Sequence, residues 1–159
     1  MSESFYIDRL SNAGTEINVA GQTMRVYQMT LRDQGVLQAT IRAIQPNPIV
    51  LGKQLLTEIG LPITLENLRE ERKAAAFWPA TVASNDGMQV LFNDEVGQRT
   101  LLQRALRINE SQASQLMDVL TLKDFVRIAT TAISGIDPET VVDDEGESDP
   151  KVEATQLSQ

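Results

Sequence analysis

The sequence predicts a mainly α-helical fold, a bundle of about five to seven short helices with a small N-terminal β-hairpin and a disordered acidic C-terminal tail. Three observations lead there. Apolar residues recur at helical spacing between recognisable caps and stops. Aromatics make up only 4% of the chain, so a core has to be assembled from Leu, Ile, Val, Ala and Met. The one stretch with period-two alternation is short and lies near the start. With 159 residues, 42% of them hydrophobic, the chain has room for one helical domain, read here as 1–136, and a tail, 137–159.

Residues 16–27 read as the hairpin. Ile17 and Val19 alternate with polar residues, Ala20-Gly21 makes the turn, and Met24 and Val26 resume the alternation. Thr30 then opens a helix as its N-cap, with Asp33 three residues on as an acidic form of the capping box. Leu37, Ile41 and Ile44 share one face of that helix, with Val36 beside them. Asn47 and Pro48 start the next, whose stripe is Ile49, Leu55, Leu56 and Ile59 and whose stop is Gly60 followed by Pro62. Thr64 is expected to cap a third helix carrying Leu65 and Leu68, with a solvated charged run from Glu66 to Lys73. The stretch from Pro79 to Gly87, including Ser84-Asn85-Asp86-Gly87, reads as an internal loop.

Beyond that loop, Leu101, Leu102, Ala105, Leu106 and Ile108 make an amphipathic helix. Asn109, with Gln112 at the box position, caps another that turns Ala113, Leu116, Met117 and Leu120 inward. Thr121 and Asp124 repeat the device for a last helix. In it Leu122, Phe125, Val126, Ile128, Ala129, Ala132 and Ile133 cover an arc of about 160°, with Lys123, Asp124, Arg127, Thr130 and Thr131 on the other side. Gly135 is the stop and Ile136 the hydrophobic contact expected after it. From Asp137 the periodicity dissolves. Eight of the 22 acids (Asp137, Glu139, Asp143, Asp144, Glu145, Glu147, Asp149 and Glu153) lie there against one base, Lys151, so the body is near neutral and the tail is expected to be disordered when free.

The composition excludes several function classes. With no Cys and no His, the chain has no disulfide framework, no Cys-containing zinc site and none of the usual nucleophile pairs. No enzyme activity, metal or cofactor is expected. Ser148-x-x-Lys151 matches a serine–lysine pattern, but in a tail that cannot hold catalytic geometry. The acidic run 143–147 places its Gly wrongly for a calcium loop, and Gly52-Lys53 lacks the rest of a phosphate loop. Asn109-Glu110-Ser111 is formally a glycosylation sequon, better read as a helix cap. Arg99, Arg104 and Arg107 read as a solvated face rather than a nucleic-acid site. Met1–Tyr6 has neither the basic nor the apolar region of a signal peptide, and no apolar run approaches membrane-spanning length, so a cytoplasmic location is expected, without nucleic acid or membrane as partners. Phe77, Trp78, Met88, Leu91 and Phe92 flank the internal loop; they are either a partner-binding cluster beside a mobile segment or plain core residues.

The layout resembles that of phage tail assembly chaperones. The residues that carry the resemblance are the hairpin with its Gly turn, Ile17 to Tyr27, the Thr-Leu helix starts at Thr30-Leu31-Arg32-Asp33 and Thr121-Leu122-Lys123-Asp124, and the short helices leading to a polar tail, over roughly residues 16–136. The resemblance implies a non-enzymatic protein that binds the tape measure protein, a long helical chain, keeps it soluble and helps recruit tail tube protein around it. Self-association is a further expectation, independent of the resemblance. It makes the segment around Trp78 and the helix bearing Leu122, Phe125, Val126 and Ile133 the expected client surfaces. Two other classes stay open: a structural virion subunit such as a connector or baseplate component, and an acidic inhibitor that mimics nucleic acid.

Overall fold

A computed structural model describes residues 13–140, and it has the expected architecture of helices with one N-terminal antiparallel hairpin. Strands β1 (Thr15–Val19) and β2 (Gln22–Val26) pair with Ile17 opposite Met24 and Val19 opposite Gln22. Ala20 and Gly21 take φ of 52° and 77°, the two left-handed residues of a turn whose twist matches the strands it joins. Ile17, Val19 and Val26 are buried against the helices, which gives a two-stranded ribbon the packing partner it needs.

The helices follow in order: α1 (Leu31–Ile44), α2 (Pro48–Glu58), α3 (Arg69–Ala75), α4 (Asn85–Asn93), α5 (Glu95–Leu106), α6 (Glu110–Met117) and α7 (Leu122–Ser134). Except at α3, their starts are set by side chains that satisfy the free N–H groups of the first turn. Thr30 Oγ1 accepts from the Asp33 N–H at 3.2 Å while the Asp33 carboxylate accepts from the Thr30 N–H at 2.9 Å. Asn109 with Gln112 and Thr121 with Asp124 form the same reciprocal boxes. Asn47 caps α2, accepting from Ile49 N–H at 3.0 Å. Gly60, at φ 74°, closes α2, with Gly60 N–H donating to the Thr57 carbonyl and Leu61 N–H to the Leu56 carbonyl.

Helix α5 is the axis of the body: Leu101, Leu102 and Ala105 are fully buried, and it packs against α1, α4, α6, α7 and β2. The segment after the hairpin ties this axis to the last helix. Tyr27 N–H donates to the Ala105 carbonyl and Met29 N–H to the Ala132 carbonyl, both at 2.8 Å, satisfying last-turn acceptors of α5 and α7. Arg127 fastens the C-terminal side. Its guanidinium grips Asp137 at 2.9 and 2.6 Å, reaches the Asn18 carbonyl of the hairpin at 2.7 Å and pairs with Glu139 at 2.8 Å.

Five expectations are corrected. Ser84-Asn85-Asp86-Gly87 is the start of α4, not loop: Ser84 Oγ accepts from Gly87 N–H at 3.0 Å. The stripe of α2 is mostly outside the core, for only Gly52 and Leu56 are buried while Leu55 and Ile59 are exposed. Thr64 caps only a turn, and α3 starts later, at Arg69, leaving Leu65 exposed and Leu68 buried. The buried face of α7 is rotated toward Thr131 and Arg127, because the Arg127–Asp137 pair holds that side inward; Leu122, Val126, Ile133 and Ile136 are exposed. The folded body also runs past 136, since Asp137 is buried and Thr140 hydrogen-bonds back to it. The rest of the acidic tail, from residue 141, lies outside the described residues, as do residues 1–12.

Candidate binding surface

The buried carboxylates of the body, Asp33 and Asp137, are held by a helix cap and an ion pair. Among the described residues no three His, Cys, Asp or Glu side chains come together as a metal site, and every buried side-chain polar atom has a hydrogen-bond partner. The Asp137 carboxyl is held below its ordinary range by the hydrogen bonds from Arg127, and the Arg127 guanidinium is raised by the same pair. Asp124 is lowered by the Thr121 hydroxyl within its capping box, and Arg25 is raised by Glu16 across the hairpin. Each shift is accounted for by a cap or an ion pair that holds the fold.

What the body offers a partner is apolar. A groove of about 460 Å³ opens where the segment after β2 passes between α1, α4 and α7. Its floor and walls are Met29, Leu37, Val82, Met88, Leu101 and Ile133. Gln28, Gln34, Ser84 and Asn85 form a rim that is polar but uncharged. Two close approaches shape it. A Cβ on Gly87 would overlap the Thr81 carbonyl oxygen, so glycine lets α4 seat on the 81–82 backbone. Gln38 clamps the same segment, donating to the Ala80 carbonyl and accepting from Val82 N–H, both at 2.9 Å.

The residues singled out from sequence divide clearly. Met88 and Ile133, 45 positions apart in sequence by their own numbers, meet in this groove. Leu122, Val126 and Ile133 share one helical line on α7 and are exposed, at 71%, 39% and 51%. Leu91 and Phe125 are core residues, and Phe92 is half-buried with its ring edge-on to Phe125 at 5.2 Å between centroids, so these three are withdrawn as contact residues. Trp78 is half-buried, donating from Nε1 to the Gln45 carbonyl at 3.0 Å beneath the Arg42 guanidinium; Phe77, beside it, is 84% exposed. Sequence reasoning missed Met29, Leu37 and Val82 as groove residues. The Ser84 cap followed by Met88, Leu91 and Phe92 at helical spacing is the signal that could have exposed α4 and hence the groove wall.

A second apolar surface lies on α2 and α3, which pack chiefly on each other as an arm away from α5. Gln45 holds its base, its Oε1 accepting from Ala80 N–H at 2.7 Å. No helix of the described residues is long and apolar enough to cross a membrane. Comparison of the chain with protein-family models, curated proteins and solved structures finds no match in any of the three.

Proposed function

We propose that this chain is a non-enzymatic tail assembly chaperone of a phage, working in the host cytoplasm, that binds the tape measure protein through the groove between α1, α4 and α7 and assists tail tube assembly around it. The observation that carries the reading is the groove itself, an apolar concavity of about 460 Å³ that continues onto the exposed line of Leu122, Val126 and Ile133. An amphipathic client helix presents anchors at i, i+3/i+4 and i+7, which suit a groove continued by an apolar helix face. The uncharged rim of amides and hydroxyls excludes neither acidic nor basic client segments, which favours a long client of varied sequence over one charged peptide. The hairpin from Ile17 to Tyr27 and the two Thr-Leu helix starts supply the identity of that client by resemblance.

Co-expression with the tape measure protein of the same phage tests this. The wild-type chain keeps the client soluble and co-purifies with it, whereas Ile133→Glu, at an exposed position that the fold tolerates, releases it. A tape measure protein that stays insoluble beside the wild-type chain rejects the reading. Finding the chain at fixed stoichiometry in purified particles instead makes it a structural virion subunit.

A further inference from the structure

We infer that the groove between α1, α4 and α7 has an occupant within the chain, the N-terminal segment 5–10, which the client helix displaces. The displacement rests on the client reading above; the docking does not. The hairpin aims the segment at the groove. Strand β1 sets Thr15 opposite Val26. Continued toward the N-terminus, the same register brings Ala13 opposite Gln28 and Asn12 opposite Met29. Gln28 and Met29 both line the groove. Thr15 also ties the strand to the end of α7, its hydroxyl donating to the Gly135 carbonyl at 3.1 Å. The Gln28 amide lies over the same glycine, where an added Cβ would meet its Cδ at 3.2 Å. Ile133, two residues earlier on α7, stands in the groove wall. From Ala13, the three residues back to Leu10 reach about 10 Å when extended. Packed helices are spaced about 8–10 Å apart, so that reach carries Leu10 over the groove.

The segment has the chemistry of the groove. Phe5, Tyr6, Ile7 and Leu10 are large and apolar or aromatic. Ile7 and Leu10 are three apart and Tyr6 and Leu10 four apart, the spacing at which a client helix presents its own anchors. Asp8 and Arg9 cancel, so the segment brings no net charge to a rim that is itself uncharged. The other end of the chain is the wrong occupant on two counts. Residues 141–159 carry six acids against Lys151. They also follow a stretch held at the start of α7, where Lys123 pairs with Glu139 at 3.3 Å. Lys123 and Ile133 are ten residues apart, about 15 Å along the helix. A segment tethered so close to the groove competes at an effective concentration on the order of millimolar, so weak contacts suffice to cover it until a long client arrives.

Spin-label relaxation in the full chain tests the docking without any client. The chain has no cysteine, so Ser4→Cys carries a single label. The methyl signals of Met88 and Ile133 are then broadened, while those of Leu51 and Leu55 on the arm keep their intensity. Phe5→Ser, Ile7→Ser and Leu10→Ser together leave the helical circular dichroism unchanged and restore the Met88 and Ile133 signals. Groove signals that the label leaves untouched, or broadens no more than those of the arm, overturn the proposal. Displacement is read with a soluble helical fragment of the tape measure protein. Adding it restores the broadened signals, and the triple-serine variant binds it about tenfold more tightly, as when one groove in ten is open. A fragment that binds both chains equally overturns the displacement. A fragment that binds neither rejects the client reading, and the label result alone then upholds or overturns the docking.

Discussion

Replacing Arg127 by Met tests whether one guanidinium joins three parts of the fold. The side chain is only 14% exposed and its partner Asp137 only 5% exposed, so truncation leaves a carboxylate with little access to water and removes the donor to the Asn18 carbonyl. Breaking one partner of a buried pair costs about 3 to 5 kcal/mol. The low end applies, because Glu139 beside the pair is about half exposed and water reaches its edge. At about 3 kcal/mol, and about 3 to 4 °C per kcal/mol for a folded body of this size, the melting temperature falls by about 10 °C. Thermal unfolding followed by circular dichroism at neutral pH reads this directly. The double variant Arg127→Met/Asp137→Asn recovers part of the loss, since it removes the stranded charge as well. A single variant that melts within about 3 °C of the wild type refutes the argument, because no buried pair broken on one side leaves so small a trace.

The same pair gives a pH dependence. Asp137 is lowered in the folded state from an ordinary value of 3.8, chiefly by its hydrogen bonds with Arg127, so its contribution is complete above that value and is lost as pH falls through the folded value. Urea unfolding below about pH 4 therefore destabilises the wild type more steeply than Asp137→Asn, and parallel acid limbs exclude the assignment. Gly87→Ala drives a methyl into the Thr81 carbonyl and costs at least about 2 kcal/mol in urea unfolding; an unchanged midpoint places the 81–82 backbone elsewhere. Thr121→Ala deletes the reciprocal cap of α7 and lowers stability by about 1 kcal/mol, with loss of amide protection confined to the first turn of that helix.

Helix starts were legible because a cap is a local device. Thr30/Asp33, Asn109/Gln112 and Thr121/Asp124 each need only three residues of spacing, and all three boxes formed as read. The cap at Ser84 was passed over because Asn, Asp and Gly after it are turn residues by composition, and only the seating of Gly87 on Thr81 makes that turn helical. Burial was less legible than helicity. The apolar stripe of α2 states that one face avoids water, yet among the described residues only the part around Gly52 and Leu56 is buried. Likewise Arg127 reads as solvent-facing until a carboxylate ten residues on, from a segment without periodicity, draws it inward, while Thr131 is buried with its hydroxyl donating to the Arg127 carbonyl. The groove joins side chains from α1, α4, α5 and α7, so no local pattern could have assembled it.

The two apolar surfaces are separable, which makes a last prediction decisive for how they work together. Ile133 lines the body groove and Leu55 the ridge of the arm; one sits on α7, the other on a helix that packs chiefly on α3. Both side chains are about half exposed, so a charge at either is tolerated by the fold. Ile133→Glu is then expected to lose the client, and Leu55→Glu to hold it as the wild type does. Titrating each variant with a soluble helical fragment of the client, with circular dichroism confirming that both are folded, separates the outcomes. If only Ile133→Glu weakens binding, the groove beside α7 takes the client helix and the arm lies outside that contact. If Leu55→Glu weakens it as much, the client spans both surfaces, and the division between arm and groove is wrong.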